Sequence, residues 1–135
     1  MNYETISMEI SSNPEYVSII RLMVSGVANK VGFSIEEIDD IKVAISEALS
    51  NAIKHSEDNK VFILFDIFEN KLIIKVKDNG IGYNHNLVEK HDLNNPKESG
   101  MGIFIIESLM DEVKVYSKDN QGTTIKMTKY LGVDI

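Results

Sequence analysis

The chain contains no cysteine. Disulfides and thiolate metal sites are therefore excluded, and a reducing, cytoplasmic location is expected. Long apolar runs are missing as well. A stretch such as Val61–Phe65 falls far short of the roughly 20 apolar residues that span a bilayer. The opening residues, MNYETISMEI, place no basic segment ahead of an apolar run, so no signal peptide and no membrane association are expected. Arginine occurs once, at Arg21, and the formal net charge is −7. With no basic run to offset that charge, nucleic-acid phosphates are repelled and no direct nucleic-acid partner is expected. A basic protein partner is compatible with it. Repeats, low-complexity tracts and long linkers are also missing. The 135 residues, 43% of them hydrophobic, suit a single domain over 1–135 with one core.

What is present reads as alternating and helical segments. Residues 3–11 place Ile6, Met8 and Ile10 on one face and Thr5, Ser7 and Glu9 on the other, which predicts a strand. Asn13-Pro14-Glu15 predicts a helix start, and Gly32 a stop after Val31. Ser34-Ile-Glu-Glu37 is a capping box opening a long helix to about His55, with Ile38, Ile41, Ile45, Ala48, Leu49 and Ala52 as its buried stripe. Val61–Phe68 and Lys71–Lys77 predict a hairpin, joined at Glu69-Asn70. Residues 83–99 are polar and irregular, a length that marks a functional or mobile loop. A helix follows Gly100-Met-Gly102. Strand 113–117, a turn ending at Gly122 and strand 123–131 complete the order β-α-α-β-β-loop-α-β-β. That order predicts an α+β fold, a two-layer α/β sandwich with helices on one face of a mostly antiparallel sheet.

The chemistry begins with KVKDNGIGYN, residues 75–84. An Asn-Gly pair between apolar stretches commonly makes a hairpin turn. Alternation nevertheless puts Asp78 on the apolar face with Leu72, Ile74 and Val76. Either the strand has ended and Asp78 caps a turn, or an inward carboxylate needs a partner, since stranding it costs several kcal/mol, roughly. Thr123 points inward at its strand end in the same way, beside Ile125 and Met127. On the long helix, Glu47 and Asn51 are four residues apart and share a face. A carboxylate can accept a proton and an amide oxygen can hold a hard cation, although such pairs also occur on solvated helices. Gly100-Met101-Gly102 offers free N–H groups at a helix start, without the Gly-Lys-Ser/Thr of a P-loop. His55, His85 and His91 show no metal-ligand spacing and read as surface or loop residues.

The order of these signals carries more than each alone: E-x-x-x-N on a helix, D-x-G-x-G after a strand, a polar loop, G-x-G opening a helix, then G-T. It resembles the Bergerat (GHKL) ATP-binding fold of gyrase, histidine kinases and MutL, over nearly the whole chain. Within that superfamily, NPEYVSIIRLMVSGVANKVGFS, IKVAISEALSNAIKHS and GMGIFIIESLMDEVKVYS with GTTIKMTKYL look most like the bacterial anti-sigma-factor serine kinases of the RsbW/SpoIIAB group. The resemblance implies that Asp78 accepts a hydrogen bond from the adenine amino group and that Gly80 and Gly82 let backbone pass close to the base. It implies Asn51 as a Mg²⁺ ligand, Glu47 as the general base on the attacking hydroxyl, and Gly100, Met101 and Gly102 as the phosphate-cradling turn. Thr123 then supports the adenine site, and residues 83–99 form the ATP lid. In that lid Lys90 and Lys97 are candidates to meet the γ-phosphate, with a solvated loop lysine as the other reading.

The implied activity is that of an anti-sigma factor and ATP- and Mg²⁺-dependent protein serine kinase. The implied partners are a sigma factor and an anti-sigma-factor antagonist of STAS type, and the implied assembly is a homodimer. Arg21, a guanidinium suited to bidentate carboxylate recognition, is expected either to contact a partner protein or to form an internal salt bridge. A second reading is a binding module of the same fold that holds ATP or ADP as a switch. Glu47 favours the kinase, because a switch has no use for a base. A histidine-kinase ATPase half is disfavoured by the lack of an upstream helical hairpin.

Overall fold

The computed structural model describes residues 2–80, 101–117 and 121–132. Strand β1 (Glu4–Ser11) leads into helix α1 (Tyr16–Val31) and the long helix α2 (Ile35–His55). Strands β2 (Ser56–Ile67) and β3 (Lys71–Gly80) follow, then helix α3 (Met101–Leu109) and strands β4 (Glu112–Ser117) and β5 (Thr123–Tyr130). The strands form one antiparallel sheet in the order β1-β2-β3-β5-β4. The predicted α+β sandwich is therefore the observed architecture.

Alternation decides what faces what. On β3, Leu72, Ile74, Val76 and Asp78 are buried, while Lys77 and Asn79 are exposed. On β5 the buried Thr123, Ile125 and Met127 share that inner face. Ile41, Ala44, Ile45, Ala48, Leu49 and Ala52 of α2 lie on it, with α1 on one flank of α2 and α3 on the other. Each fully buried Leu, Ile or Phe here contributes about 1.5–3 kcal/mol by removal from water. The small side chains of Ala44, Ala48 and Ala52 let α2 sit close over the sheet.

The capping box forms as expected: the Glu37 N–H donates to Ser34 Oγ at 3.1 Å and the Ser34 N–H to Glu37 Oε1 at 3.0 Å. Gly32 ends α1 at φ 109, a conformation that strongly favours glycine. Three boundaries differ from expectation by more than one residue. Helix α1 starts at Tyr16, because Asn13 is used to cap the turn before it, its Oδ1 accepting the Glu15 N–H at 3.1 Å. Strand β2 begins directly after α2, at Ser56 rather than Val61, with a register break between those residues and Asn59 at φ 63. Strand β3 runs to Gly80, so Asn79-Gly80 is strand and not a hairpin turn. In both strands the pairing partner, Ser56 with Gly80, is remote in sequence and invisible to local pattern.

Candidate functional site

The strand extension to Gly80 settles the orientation of Asp78. It pairs with Val61 on one side and Thr123 on the other, and its carboxylate turns toward the helix layer, 1% exposed. Its Oδ1 accepts the Gly80 N–H at 2.8 Å. Burial pushes this carboxyl above its ordinary range. The N–H groups of Gly80 and Thr123 and the charge of His55 pull the other way, while Asp58 adds to the upward push.

Two glycines make room around it. A Cβ at Gly80 would overlap the His55 carbonyl oxygen and lie 2.8 Å from Asp78 Oδ1. A Cβ at Gly122, which sits at φ 78, would overlap the Asp78 carbonyl oxygen. Thr123 is 3% exposed, and its hydroxyl shares a 3.0 Å hydrogen bond with Ser117 Oγ across the β4–β5 pair. Outside this pocket floor, the Asn79 amide donates to Asp58 Oδ2 at 2.9 Å, and that bond is the main reason the Asp58 carboxyl lies below its usual range. It ties the start of β2 to the end of β3.

Glu47, Asn51 and His55 recur at four-residue steps, so they line one side of α2 over about 12 Å of helix rise. At one end of this line the His55 carbonyl meets Gly80. At the other end α3 begins against the helix, and a Cβ on Gly102 would sit 3.3 Å from Glu47 Oε2. Glu47 and Asn51 are half-buried, not solvated. Among the described residues no hydrogen bond or ion pair occupies either side chain.

Of the residues expected from sequence, the structure thus brings together Glu47, Asn51, Asp78, Gly80, Gly102 and Thr123, and Met101 is the first residue of α3. Gly82, Gly100, Lys90, Lys97, His85 and His91, with the rest of the lid, lie outside the described residues. Arg21 is exposed on α1. Among the described residues the ion pair is Lys30 with Glu4, 3.1 Å, and Arg21 has none. Sequence reasoning missed three contributors: Gly122, Ser117 and the His55 backbone. Gly122 was within reach, since it stands beside Thr123 in the G-T signal. Ser117 and the His55 carbonyl act through cross-strand and helix-to-strand contacts that no local pattern reports.

The profile of the histidine kinase-like ATPase domain family matches residues 10–129. A protein of Bacillus thuringiensis (strain Al Hakam) named serine-protein kinase RsbW is 39% identical over 140 residues, covering 96% of this chain and 86% of that one. A Bacillus anthracis protein of the same name is 40% identical with the same coverage. The chain belongs to the RsbW-type kinases of the histidine kinase-like ATPase family. Solved structures agree in fold. The RsbU and RsbW domains of a Mycobacterium tuberculosis protein superpose with a TM-score of 0.71 at 19% identity, over 95% of this chain and 32% of that one. A histidine kinase domain of Erythrobacter litoralis gives 0.56 at 21% identity, over 90% and 62%.

The geometry fits what an RsbW-type ATPase domain must hold. A buried carboxylate held above its ordinary range favours a hydrogen-bond donor, such as an exocyclic amine. Glycine at 80 and 122 lets neighbouring backbone pack directly against the end of β3. The Asn51 amide oxygen is a hard donor suited to Mg²⁺. Among the described residues no three His, Cys, Asp or Glu converge as a metal cage. Mg²⁺ is usually held by one or two protein oxygens together with substrate phosphates.

Proposed function

We propose that the chain acts as one domain over residues 1–135, binds a sigma factor, and uses ATP to phosphorylate a serine on an antagonist of STAS type. On this reading Asp78 fixes the adenine amino group, Gly80 and Gly82 let the backbone lie against the base, and Thr123 holds the strand end in place through Ser117. The line Asn51 to Glu47 leads from the base toward the first turn of α3, where Gly100, Met101 and Gly102 receive the phosphates with N–H groups and the positive end of the helix dipole. Asn51 holds Mg²⁺ through its amide oxygen. When bound, the ion neutralises charge on the phosphates.

Glu47 then faces the transferring group. It accepts the proton of the substrate serine as the serine oxygen bonds to the γ-phosphorus and the bond to the ADP oxygen breaks. Its half-buried carboxylate, free of described partners, supports this role. Arg21, exposed and unpaired among the described residues, supports the partner-contact reading over the internal salt bridge. The active assembly is a homodimer.

The observation that carries the reading is the buried Asp78 carboxylate, a costly placement that a purine amine would satisfy. Calorimetry of ATP with Mg²⁺ tests it. Binding by the wild-type chain and its loss in Asp78→Asn are expected. Undiminished binding by Asp78→Asn would remove the adenine assignment.

A further inference from the structure

Strands β2 and β3 stay in register as far as Val61 opposite Asp78, and the next pair is Ser56 with Gly80. Residues 57–60 therefore bulge out opposite Asn79 alone. On the other side, the pairing of β3 with β5 ends at Asp78 and Thr123. Asn79, which directly follows the buried carboxylate, is thus without a register partner among the described residues. Its tie to β2 is a side-chain bond: the Asn79 amide donates to Asp58 Oδ2 at 2.9 Å. Asp58 is braced in its turn. Its Oδ1 accepts the Lys60 N–H at 3.2 Å, and the Ser56 hydroxyl stands 3.3 Å from the same oxygen. The next residue, Asn59 at φ 63, is fastened to the end of β1. Its carbonyl accepts the Ser12 N–H at 3.1 Å and its side-chain oxygen accepts the Ser12 hydroxyl. Asp58 is therefore set in place by the chain itself, ahead of any ligand. Gly80 donates its N–H to Asp78 Oδ1 at 2.8 Å. A shift of Asn79 carries Gly80 with it, and so moves the donor that aims the Asp78 carboxylate.

We propose that Asp58 is a positioning residue of the nucleotide site: through the Asn79 amide it fixes the Asn79-Gly80 backbone, and through the Gly80 N–H it fixes the direction in which Asp78 meets an adenine amine. This rests on the reading of Asp78 as the adenine contact. The role of Asp58 is indirect, and its sign separates it from a charge effect. An acid near a site for a polyphosphate repels the ligand, so by charge alone its removal would tighten binding. A positioning role requires that removal weaken it.

Calorimetry of ATP and of ADP, each with Mg²⁺, on the full chain tests the inference. Asp58→Ala is expected to bind both at least about tenfold more weakly than wild type. The factor should be the same for both, since on the proposed reading Asn79 lies at the base end of the site. Asn79→Ala should match it, and the double variant Asp58→Ala, Asn79→Ala should be no weaker than either alone. The exchange Asp58→Asn, Asn79→Asp keeps the net charge and puts amide and carboxylate at swapped ends of the same bond. It should restore affinity to within about threefold of wild type. Asn79→Asp alone sets two carboxylates face to face and should not. A general loosening of the fold would not be repaired by the exchange, and wild-type circular dichroism is expected throughout because neither residue belongs to the core. Asp78→Asn serves as the reference. If it loses ATP while Asp58→Ala binds as well as wild type or more tightly, Asp58 has no positioning role and the adenine contact stands. If Asp78→Asn binds like wild type, the adenine contact falls and the role of Asp58 falls with it. A loss confined to ATP, or no rescue by the exchange, also overturns the role of Asp58.

Discussion

Asp78 is a residue at which stability and binding are opposed. Its carboxyl is buried and titrates above its ordinary value near 3.8, chiefly because of burial. The folded state therefore holds this proton more tightly than the unfolded chain. The contribution of Asp78 to stability is greatest below that ordinary value and is lost as pH rises through the raised one. Asp78→Asn should then be more stable than the ligand-free wild type at neutral pH, by about 1 kcal/mol, with the difference vanishing in acid. Denaturant melts at several pH values measure this, and a variant less stable at neutral pH would contradict it. Together with lost ATP binding, a stabilised variant separates a missing contact from a damaged fold. Glu47 is predicted to behave differently. Glu47→Gln should bind ATP within about threefold of wild type yet transfer phosphoryl about 100-fold more slowly or worse. Equal transfer rates would take the base role from Glu47.

Secondary-structure elements bring these residues together through backbone contact as much as through side chains. Gly80 lies against the His55 carbonyl, so the end of α2 and the end of β3 fit only without a Cβ. Gly80→Ala should cost about 1–3 kcal/mol by overpacking and weaken ATP binding, as read by urea melts and calorimetry. A neutral effect would show that the two ends can part. At the other surface of β5, Lys126 faces lysines on both sides. Lys126→Thr should stabilise the sheet by about 0.5–1 kcal/mol, a gain that shrinks in high salt. An unchanged melting temperature at low salt would mean that the lysines avoid one another. Elements with strong local signals were legible in advance: the capping box at Ser34, the stripe of α2 and the alternation of β3. The start of β2 at Ser56 was not, because its pairing with Gly80 overrides the irregular residues 57–60.

For the whole molecule, charge is unevenly placed: an acidic chain presents exposed Arg21 on α1 and a lysine row on the outer sheet face. On the proposed reading Arg21→Ala should weaken partner binding at least about tenfold while leaving ATP affinity unchanged. Calorimetry with the sigma factor and with the antagonist would show it, and wild-type affinity for both would return Arg21 to a solvent role. The proposed homodimer should sediment at twice the 15.2 kDa chain mass. By itself the sequence determined the element order, the helix-facing stripe, the family and the candidates Glu47, Asn51, Asp78 and Thr123, since period, capping and motif order are local properties of a chain. Tertiary structure alone decided that Asp78 is buried rather than capping a turn, that Gly122 packs on its carbonyl, the His55 carbonyl on Gly80 and Ser117 on Thr123, and that Gly102 meets Glu47. It also assembled a basic row where the sequence shows no basic run. Lys75, Lys114 and Lys126 are far apart along the chain, and cross-strand register, a non-local property, makes them neighbours.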